Sequence, residues 1–380
     1  MSATATDGAG TNGPPPSAFE PAEAIWTGET DDILICQAVR DETHDVKTFV
    51  LAPAEPGRFR YQPGQFMTYA FEIGGETIYR CYTISSAPTR PDRIALTVKR
   101  VPGGPVSNWL HDSFKPGMRL RAAGPMGDFT SSAHPAAKYL FLSGGSGITP
   151  VMSMARTFHD LGREEDVTFI HSARSPADII FREELEAMAR VNPAFRFVPI
   201  VQNVGPLAPS TGLRGFLTRE ILDLVAPDFR EREVFVCGPT PYMAAVREML
   251  AAAGYDMARY HDESFNFETL SASEQSEAVE AEEQLESEAE APVKTYKVEF
   301  SKTRRTIDVP ADMTVLEAAK RAGMRLPSSC SQGLCGTCKS KKVSGTVEMD
   351  HKGGIRQREI DAGMVLLCCS KPTSDLVVER

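Results

Sequence analysis

Two patterns of apolar residues divide the chain. Between residues 31 and 130, short runs rich in β-branched and aromatic residues alternate with turns that contain glycine and proline. Runs of this length and composition predict the strands of a small antiparallel barrel. The predicted strands are DILICQAVR, KTFVLAP, GQFMTYAFEI, YRCYTIS and RIALTVKRV.

The pattern changes after residue 138. Strongly apolar runs such as KYLFLS, DVTFIHSA and EVFVCG alternate with amphipathic stretches such as PVMSMARTFHDL and PYMAAVREMLAAAG. Strands that alternate with helices predict a parallel sheet covered by helices on its faces. We therefore expect an α/β domain here, following the barrel.

Residues 269–292 have no aromatic residue and no sustained apolar period, which predicts a linker. As a flexible chain it would span roughly 25–30 Å. A solvated single helix is the alternative, because Ala, Glu and Gln are good helix formers.

Beyond the linker, YKVEFSKTRRTIDVP predicts a hairpin, and TVLEAAKRAGM predicts a helix that a threonine caps and that ends at Gly323. These pieces indicate a small α+β domain.

Composition adds limits on location. The chain has 380 residues, 42% hydrophobic and 24% charged, as expected for two or three globular domains. The sequence contains no apolar run of about 18 residues, so no membrane span is predicted. The N-terminal sequence MSATATDGAGTNGPPPS lacks the basic start and apolar centre of a signal peptide. We expect residues 1–29 to be a disordered extension and the protein to stay in the cytoplasm.

The net charge of −10 is unevenly distributed. Residues 271–290 hold eight Glu and no base, whereas residues 291–380 hold 16 Lys and Arg against 10 Asp and Glu. An acidic body and a basic C-terminal domain should attract each other weakly and in a salt-dependent way. Lys339, Lys341 and Lys342 could form a docking face or a solvated edge, and the sequence leaves both open.

The cysteines give the strongest chemical signal. Five of the eight lie between residues 330 and 369, which indicates a ligand cluster rather than a disulfide scaffold. Zinc sites made of cysteines usually pair two C-x2-C knuckles, whereas C-x4-C-x2-C with a distant fourth cysteine is the plant-type [2Fe–2S] arrangement. Gly333 and Gly336 would let the loop turn tightly and direct N–H groups at sulfur. The predicted ligands are Cys330, Cys335, Cys338 and Cys368.

Residues 293–380 resemble a whole plant-type ferredoxin domain, which has a β-grasp fold. Cys369 beside Cys368 makes the fourth ligand ambiguous. The proline that follows four residues later and the sequence TSDLVVE resemble the end of such a ferredoxin and favour Cys368.

In the barrel, RCYTISS at residues 80–86 resembles the flavin motif of the ferredoxin–NADP reductase superfamily. An arginine supplies fixed donors to a flavin phosphate, and a tyrosine offers a flat face to the ring. The resemblance implies that residues 30–135 bind flavin, with the hydroxyls of Thr83 and Ser86 near its edge. The implied flavin-binding residues are Arg80, Tyr82, Thr83, Val98, Lys99, Gly104, Val106 and Ser107.

The stretch GGSGITP at residues 144–150 joins a strand to a helix, where a pyrophosphate can approach the helix N-terminus. In the same superfamily this loop binds the nicotinamide nucleotide, which implies a nucleotide-binding domain over residues 136–268. Cys237 would lie near the nicotinamide, although a buried small residue at a strand end is the alternative. The implied nucleotide-binding residues are Gly145, Gly147, Thr149, Pro150, Gly238 and Pro239.

HDESF at residues 261–265 resembles the segment that closes the flavin site in the superfamily. It implies Glu263 near the point of hydride transfer, together with Ser86 and Cys237, and Phe265 against the ring. Arg174 and Arg182 could bind a 2′-phosphate. The resemblance implies that Arg174 binds the nucleotide. Similar sequences occur in members that use NADH, so Arg174 does not decide between the two nucleotides. We favour NADH, and NADPH stays possible.

The chain shows no site for activating oxygen. Rieske centres need C-x-H motifs, which are absent, and the seven histidines are scattered singly. We expect each histidine to be a surface or structural residue. The protein should therefore deliver electrons to another protein and should contact neither nucleic acid nor membrane.

Domain order and the stretches RCYTISS, GGPVSNWLHD and HDESF resemble reductase components of Rieske-type monooxygenases that demethylate quaternary amines such as glycine betaine or carnitine. The reductase of hybrid-cluster protein has a similar layout. The resemblance implies electron flow from NADH through FAD, with FMN less favoured, and a [2Fe–2S] cluster to a terminal oxygenase. A redox sensor is the non-enzymatic alternative. The linker would let the ferredoxin domain alternate between flavin and acceptor.

Overall fold

A computed structural model describes residues 24–26, 33–203, 213–264, 294–324, 326, 333, 336–351 and 354–380. Most of the N-terminal extension, the predicted linker, Phe265, Cys330 and Cys335 lie outside the described residues. Within the described residues, three sheets of five or six strands, each with its own core, follow one another along the chain. The predicted fold classes of all three domains are confirmed, as the following paragraphs show.

The first sheet is an antiparallel barrel of six strands. Their order is β4-β3-β6-β1-β2-β5, and a bridge between Ile84 and Leu96 joins the two edges. Tyr69 and Phe71 fill its interior and are fully buried. The strands are β1 (Ile33–Thr43), β2 (Val46–Pro53), β3 (Phe66–Ile73), β4 (Glu76–Thr83), β5 (Ile94–Lys99) and β6 (Arg119–Met126). Helix α1 (Pro105–Ser113) packs against the barrel core through Val106 and Leu110.

The second sheet has six parallel strands in the order β10-β9-β8-β7-β11-β12. They are β7 (Lys138–Gly144), β8 (Asp166–Ala173), β9 (Phe195–Val201), β10 (Leu213–Arg214), β11 (Glu233–Gly238) and β12 (Tyr260–Ser264). The accompanying helices are α2 (Ile148–Asp160), α3 (Arg182–Val191), α4 (Arg219–Val225) and α5 (Thr240–Ala252). Successive strands are added on one side of β7 and then on the other, so the edge where β7 and β11 end is the switch point of the sheet, where ligands of such sheets usually bind in a crevice.

The third sheet is a mixed one in the order β14-β13-β19-β15-β17, and β16 and β18 form a separate pair. Its strands are β13 (Thr295–Phe300), β14 (Arg305–Pro310), β15 (Lys339–Ser344), β16 (Val347–Met349), β17 (Met364–Leu366), β18 (Ser370–Pro372) and β19 (Leu376–Glu379). Its helices are α6 (Val315–Arg321) and α7 (Gln357–Asp361). The predicted cap of α6 is confirmed, because Thr314 Oγ1 accepts a hydrogen bond from the Glu317 amide at 3.3 Å.

Short 3₁₀ turns occur at Ser131–Ala133, Gly145–Gly147, Pro176–Asp178, Phe229–Glu231, Met257–Arg259 and Leu367–Cys369. Within the described ranges, every helix is too short or too polar to cross a membrane.

Candidate functional site

The two loops at the switch point of the parallel sheet lie in close contact. A Cβ atom on Gly147 would lie 2.4 Å from the carbonyl oxygen of Cys237 and 2.5 Å from the amide nitrogen of Gly238. Such distances exclude any side chain at position 147. Gly145 adopts a φ of +52°, which other residues rarely adopt. The predicted nucleotide loop and the Cys237–Pro239 segment therefore form one structure.

Helix α2 presents its N-terminus at this crevice. The preceding residue, Gly147, provides no side-chain cap, and the Thr149 hydroxyl donates to the Ser146 carbonyl at 3.3 Å. Thr149 and Pro150 are buried in the first turn. The Ile148 amide donates to the Gly145 and Ser146 carbonyls and Pro150 has no amide hydrogen, so the helix dipole is what favours an anion at this position. The arrangement fits the pyrophosphate of a nicotinamide nucleotide.

Strand β4 carries the predicted flavin motif along the side of the barrel. Tyr82 pairs with Met67 and Arg80 pairs with Tyr69 in the ladder with β3. The Tyr82 ring centroid lies 6.2 Å from that of Tyr69, so the barrel core fixes the tyrosine. The next residue, Thr83, is 3% exposed, and its Oγ1 is buried with no hydrogen-bond partner among the described residues. A buried hydroxyl without a partner fits a polar atom of a flavin ring.

Helix α1 forms the second predicted part of the flavin site. Its N-cap, Gly104, makes no side-chain cap, and the positive end of the helix dipole there favours a phosphate. Ser107 Oγ accepts from the Val101 amide at 3.1 Å and donates to the Gly104 carbonyl at 3.3 Å. Ser107 therefore shapes the turn. Val106 is buried beneath it.

Strand β5 is tied to both neighbouring segments. The Val98 carbonyl lies 2.9 Å from His111 Nε2, which joins β5 to helix α1. Lys99 Nζ lies 3.4 Å from Asp45 Oδ2 in the turn between β1 and β2. These contacts fix the strand, while the predicted flavin contacts of Val98 and Lys99 stay predictions.

Ser86 has partners inside the protein. Its Oγ lies 3.0 Å from the Tyr61 hydroxyl and accepts from the Ala95 amide at 3.0 Å. Its carbonyl accepts from Ser153 Oγ of helix α2 at 2.6 Å. These bonds join the barrel to the parallel-sheet domain. A catalytic role for Ser86 stays a prediction.

Glu263 and Cys237 lie side by side on neighbouring strands. They are register partners in the parallel ladder of β11 and β12. Cys237 is fully buried, and burial, with a smaller contribution from Glu263, raises the pKa of its thiol well above the usual value. Glu263 Oε2 is buried without a partner among the described residues, and this burial raises the pKa of Glu263 to about 8. Both groups are therefore uncharged at neutral pH, and Glu263 can donate a hydrogen bond.

Arg174 follows β8 and lies between two carboxylates. Its Nη2 is 3.1 Å from Asp45 Oδ2 and 3.6 Å from Asp178 Oδ1. Although burial opposes it, Lys99 and the Thr43 hydroxyl hold the pKa of Asp45 below its usual value. Sequence reasoning missed Asp45, because it is 129 residues from Arg174. The other candidate cation, Arg182, forms an ion pair with Glu186.

Two predicted cluster ligands meet in the third domain. Cys338 and Cys368 are buried, and the Cys368 amide donates to Cys338 Sγ at 3.5 Å. The Gly333 amide donates to Cys368 Sγ at 3.2 Å. Gly333 and Gly336 both have a φ of +72°, as their predicted role in a tight loop requires. Amides directed at buried sulfurs fit a [2Fe–2S] cluster.

Cys369, the alternative fourth ligand, has a different environment. It is half-buried, and its Sγ lies 3.7 Å from the Leu366 carbonyl. The structure thus directs an amide at the sulfur of Cys368 and places Cys369 against the backbone. The assignment of Cys368 as ligand stays a prediction.

The third domain contacts the strand that carries the flavin motif. Thr337 Oγ1 lies 3.4 Å from Cys81 Sγ, so the residue beside Cys338 touches the residue between Arg80 and Tyr82. This contact joins residues 256 positions apart, which no local pattern could indicate.

Lys339 belongs to the same contact between the domains. Its Nζ lies 5.0 Å from the ring centroid of Tyr79 and 2.7 Å from Glu359 Oε1. The side chain is 6% exposed. For Lys339 the solvated edge is therefore wrong, whereas the docking face stays a prediction.

Comparisons with known proteins agree with this architecture. Three family models match the chain: an oxidoreductase FAD-binding domain over residues 35–131, an oxidoreductase NAD-binding domain over residues 141–248, and a 2Fe-2S iron-sulfur cluster binding domain over residues 298–373.

Two relatives with assigned roles are similar along most of the chain. The glycine betaine monooxygenase reductase subunit of Pseudomonas aeruginosa is 48% identical over 90% of this chain and 94% of its own. The stachydrine N-demethylase reductase subunit of Rhizobium meliloti is 43% identical over 91% of this chain and 96% of its own. Among solved structures, phthalate dioxygenase reductase aligns with a TM-score of 0.57 and 22% identity, over 93% of this chain and all of its own, which shows a shared fold.

Proposed function

We propose that this chain transfers electrons from NADH to a terminal oxygenase that demethylates a quaternary amine. The chain belongs to the family of monooxygenase reductase components that combine FAD-binding, NAD-binding and [2Fe–2S] domains. The relatives that act with glycine betaine monooxygenase and stachydrine N-demethylase support this class of acceptor. We place the reaction in the cytoplasm, where cluster-ligating thiols stay reduced.

The described residues divide the task by domain. When bound, a flavin accepts a hydride and releases single electrons, and a [2Fe–2S] cluster carries one electron at a time. The N-terminus of α2 would hold the nucleotide, and Arg80, Tyr82 and Thr83 would hold the flavin. Glu263 would supply an uncharged hydrogen-bond donor beside Cys237. We propose the same domain division as the sequence indicates, with boundaries at residues 30, 136, 269 and 293.

The contact between Cys81 and Thr337 carries the proposal of internal electron transfer. It brings the loop of Cys338 against the strand of Arg80 and Tyr82. Electrons need a short path between cofactors, and this contact provides one through residues adjacent to both predicted sites. An electron-transfer reductase, rather than a direct dehydrogenase, is the function that such an arrangement supports best.

The carboxylates around Arg174 support NADH as the donor. A 2′-phosphate carries about two negative charges and needs unneutralised cations. Asp45 and Asp178 already face Arg174, so a phosphate here would approach two carboxylates. NADH, which lacks that phosphate, avoids this repulsion.

The acceptor can be tested by reconstitution. The purified holoprotein is mixed with the oxygenase component of a glycine betaine monooxygenase, NADH and glycine betaine, and loss of the methyl group is followed. We expect demethylation that requires both proteins and NADH. Rapid NADH-dependent reduction of an artificial acceptor without demethylation would keep the reductase activity but contradict the proposed class of oxygenase. Absence of both would favour a redox sensor.

A further inference from the structure

A second group of ligating side chains lies at the end of β11 opposite Cys237. Glu233 begins β11, His261 lies in β12, and His134 precedes β7. The imidazole rings of His134 and His261 stack with centroids 3.7 Å apart and an interplanar angle of 29°. His261 Nε2 lies 2.6 Å from Glu233 Oε1. Two of the histidines that are scattered singly along the sequence therefore come together in space, although they are 127 positions apart.

We propose that His134, Glu233 and His261 bind a divalent transition-metal ion of the zinc class. One ligand atom from each residue lies within 4.8 Å of the other two. Two imidazoles and a carboxylate suit zinc, with water in the fourth position. Ligand atoms on a tetrahedral zinc ion lie roughly 3.4 Å apart, because each bond is about 2.1 Å long. To complete the site, the ligand atoms would move by about an ångström and the two stacked rings would turn so that their nitrogen lone pairs converge on the ion.

The carboxylate of Glu233 is already held in place. Its side chain is 10% exposed, and Arg259 Nε lies 3.0 Å from Oε2. Arg259 is fixed in turn by bonds to the carbonyls of Arg230 and Glu231. The guanidinium of Arg259 therefore occupies Oε2 and leaves Oε1 for the metal. A metal bound there would replace the proton that Oε1 shares with His261 Nε2. Supporting groups of this kind orient ligands at known metal sites.

His134 supplies the outermost ligand. A neutral imidazole has the lone pair that a metal needs. His134 is only partly buried, so the site can be reached from solvent.

Metal binding here would connect three segments of the NAD-binding domain. His261 is two residues from Glu263 on β12, and alternate residues of a strand share a face. A bound ion would tie β12 to β11 and to the segment that enters β7. The melting temperature of this domain should therefore rise with zinc concentration.

The test measures zinc and iron in the same sample. Holoprotein with flavin and cluster is dialysed against graded Zn²⁺, and both metals are determined by elemental analysis. We expect one zinc per chain beside two iron. H134Q, H261Q and E233Q should each bind zinc about tenfold to a hundredfold more weakly, with unchanged iron. H159Q, which changes an exposed histidine of α2, is the matched control and should bind zinc like the wild type.

The iron count separates this site from the cysteine cluster. Zinc that replaced iron at the cysteines would lower the iron content. Zinc bound equally by wild type and H134Q, or no stoichiometric zinc in the wild type, would overturn the proposal. H134Q decides the matter alone if H261Q does not fold, because it leaves the bond between His261 and Glu233 intact.

Discussion

Glu263 is the register partner of Cys237, and its Oε2 is buried without a partner among the described residues. Burial raises the pKa of Glu263 from 4.5 to about 8, so the carboxyl is neutral below that pH and charged above it. We expect flavin reduction by NADH to slow as pH rises through about 8, because the donor is lost and a negative charge appears. Stopped-flow absorbance at several pH values measures this rate.

The matched variant for this prediction is Glu263→Gln. Its amide does not ionise in this range, so the pH dependence near 8 should disappear. If the rate of flavin reduction in the variant still fell by the same factor near pH 8, the titration would belong to another group. Unchanged flavin content would show that the variant still binds the cofactor.

Thr83 should act on the flavin rather than on folding. Its buried hydroxyl has no partner within the described part of the chain, so Thr83→Val should leave the stability of the flavin-free protein unchanged. We expect flavin reduction by NADH to slow about a hundredfold, the usual effect of removing a donor at a reacting centre. Thr48→Val is the control, because Thr48 bonds Thr97 at 2.8 Å.

The control should show the opposite result. Loss of the buried bond to Thr97 should cost about 1–3 kcal/mol of unfolding free energy, with little change in flavin reduction. If Thr83→Val lowered stability as much as Thr48→Val and left flavin reduction unchanged, its hydroxyl would not face the flavin.

The charges around Arg174 should set the choice of nucleotide. Changing both Asp45 and Asp178 to Asn releases the guanidinium for a 2′-phosphate. We expect kcat/KM for NADPH relative to NADH to rise about tenfold, or about 1.4 kcal/mol. Asp41→Asn is the control, because Asp41 is exposed and pairs with Lys47 instead. A wild type that prefers NADPH, or a double variant with unchanged preference, would contradict this reading.

The fourth cluster ligand can be decided by two serine variants. Cys368 accepts an amide hydrogen bond and lies against Cys338, whereas Cys369 faces the Leu366 carbonyl. We expect Cys369→Ser to retain two iron atoms per chain and the visible cluster spectrum, and Cys368→Ser to lose both. The reverse pattern would make Cys369 the ligand.

Local features were predictable from sequence because neighbouring residues create them. The cap of α6 at Thr314 depends on residues three positions apart. The positive φ angles of Gly333 and Gly336 follow from the requirements of a tight loop. The two alternating patterns distinguish the barrel from the parallel sheet for the same reason, since each reports the burial of a single element.

Contacts between distant segments were not predictable. Asp45 reaches Arg174 from the barrel, and Thr337 reaches Cys81 from the third domain. Each depends on how domains pack, and no spacing rule links the residues involved. The same holds for the stacked histidines, whose rings meet because β12 and the segment that enters β7 both lie next to β11.

The most direct test is an anaerobic titration of the holoprotein with NADH, followed by visible absorbance and electron paramagnetic resonance. A flavin that takes two electrons and a cluster that takes one require about 1.5 NADH per chain. We predict that flavin bleaching is accompanied by loss of the broad cluster absorbance and by the signal of a reduced [2Fe–2S] cluster. Full flavin reduction with an unchanged cluster would contradict electron transfer between the two.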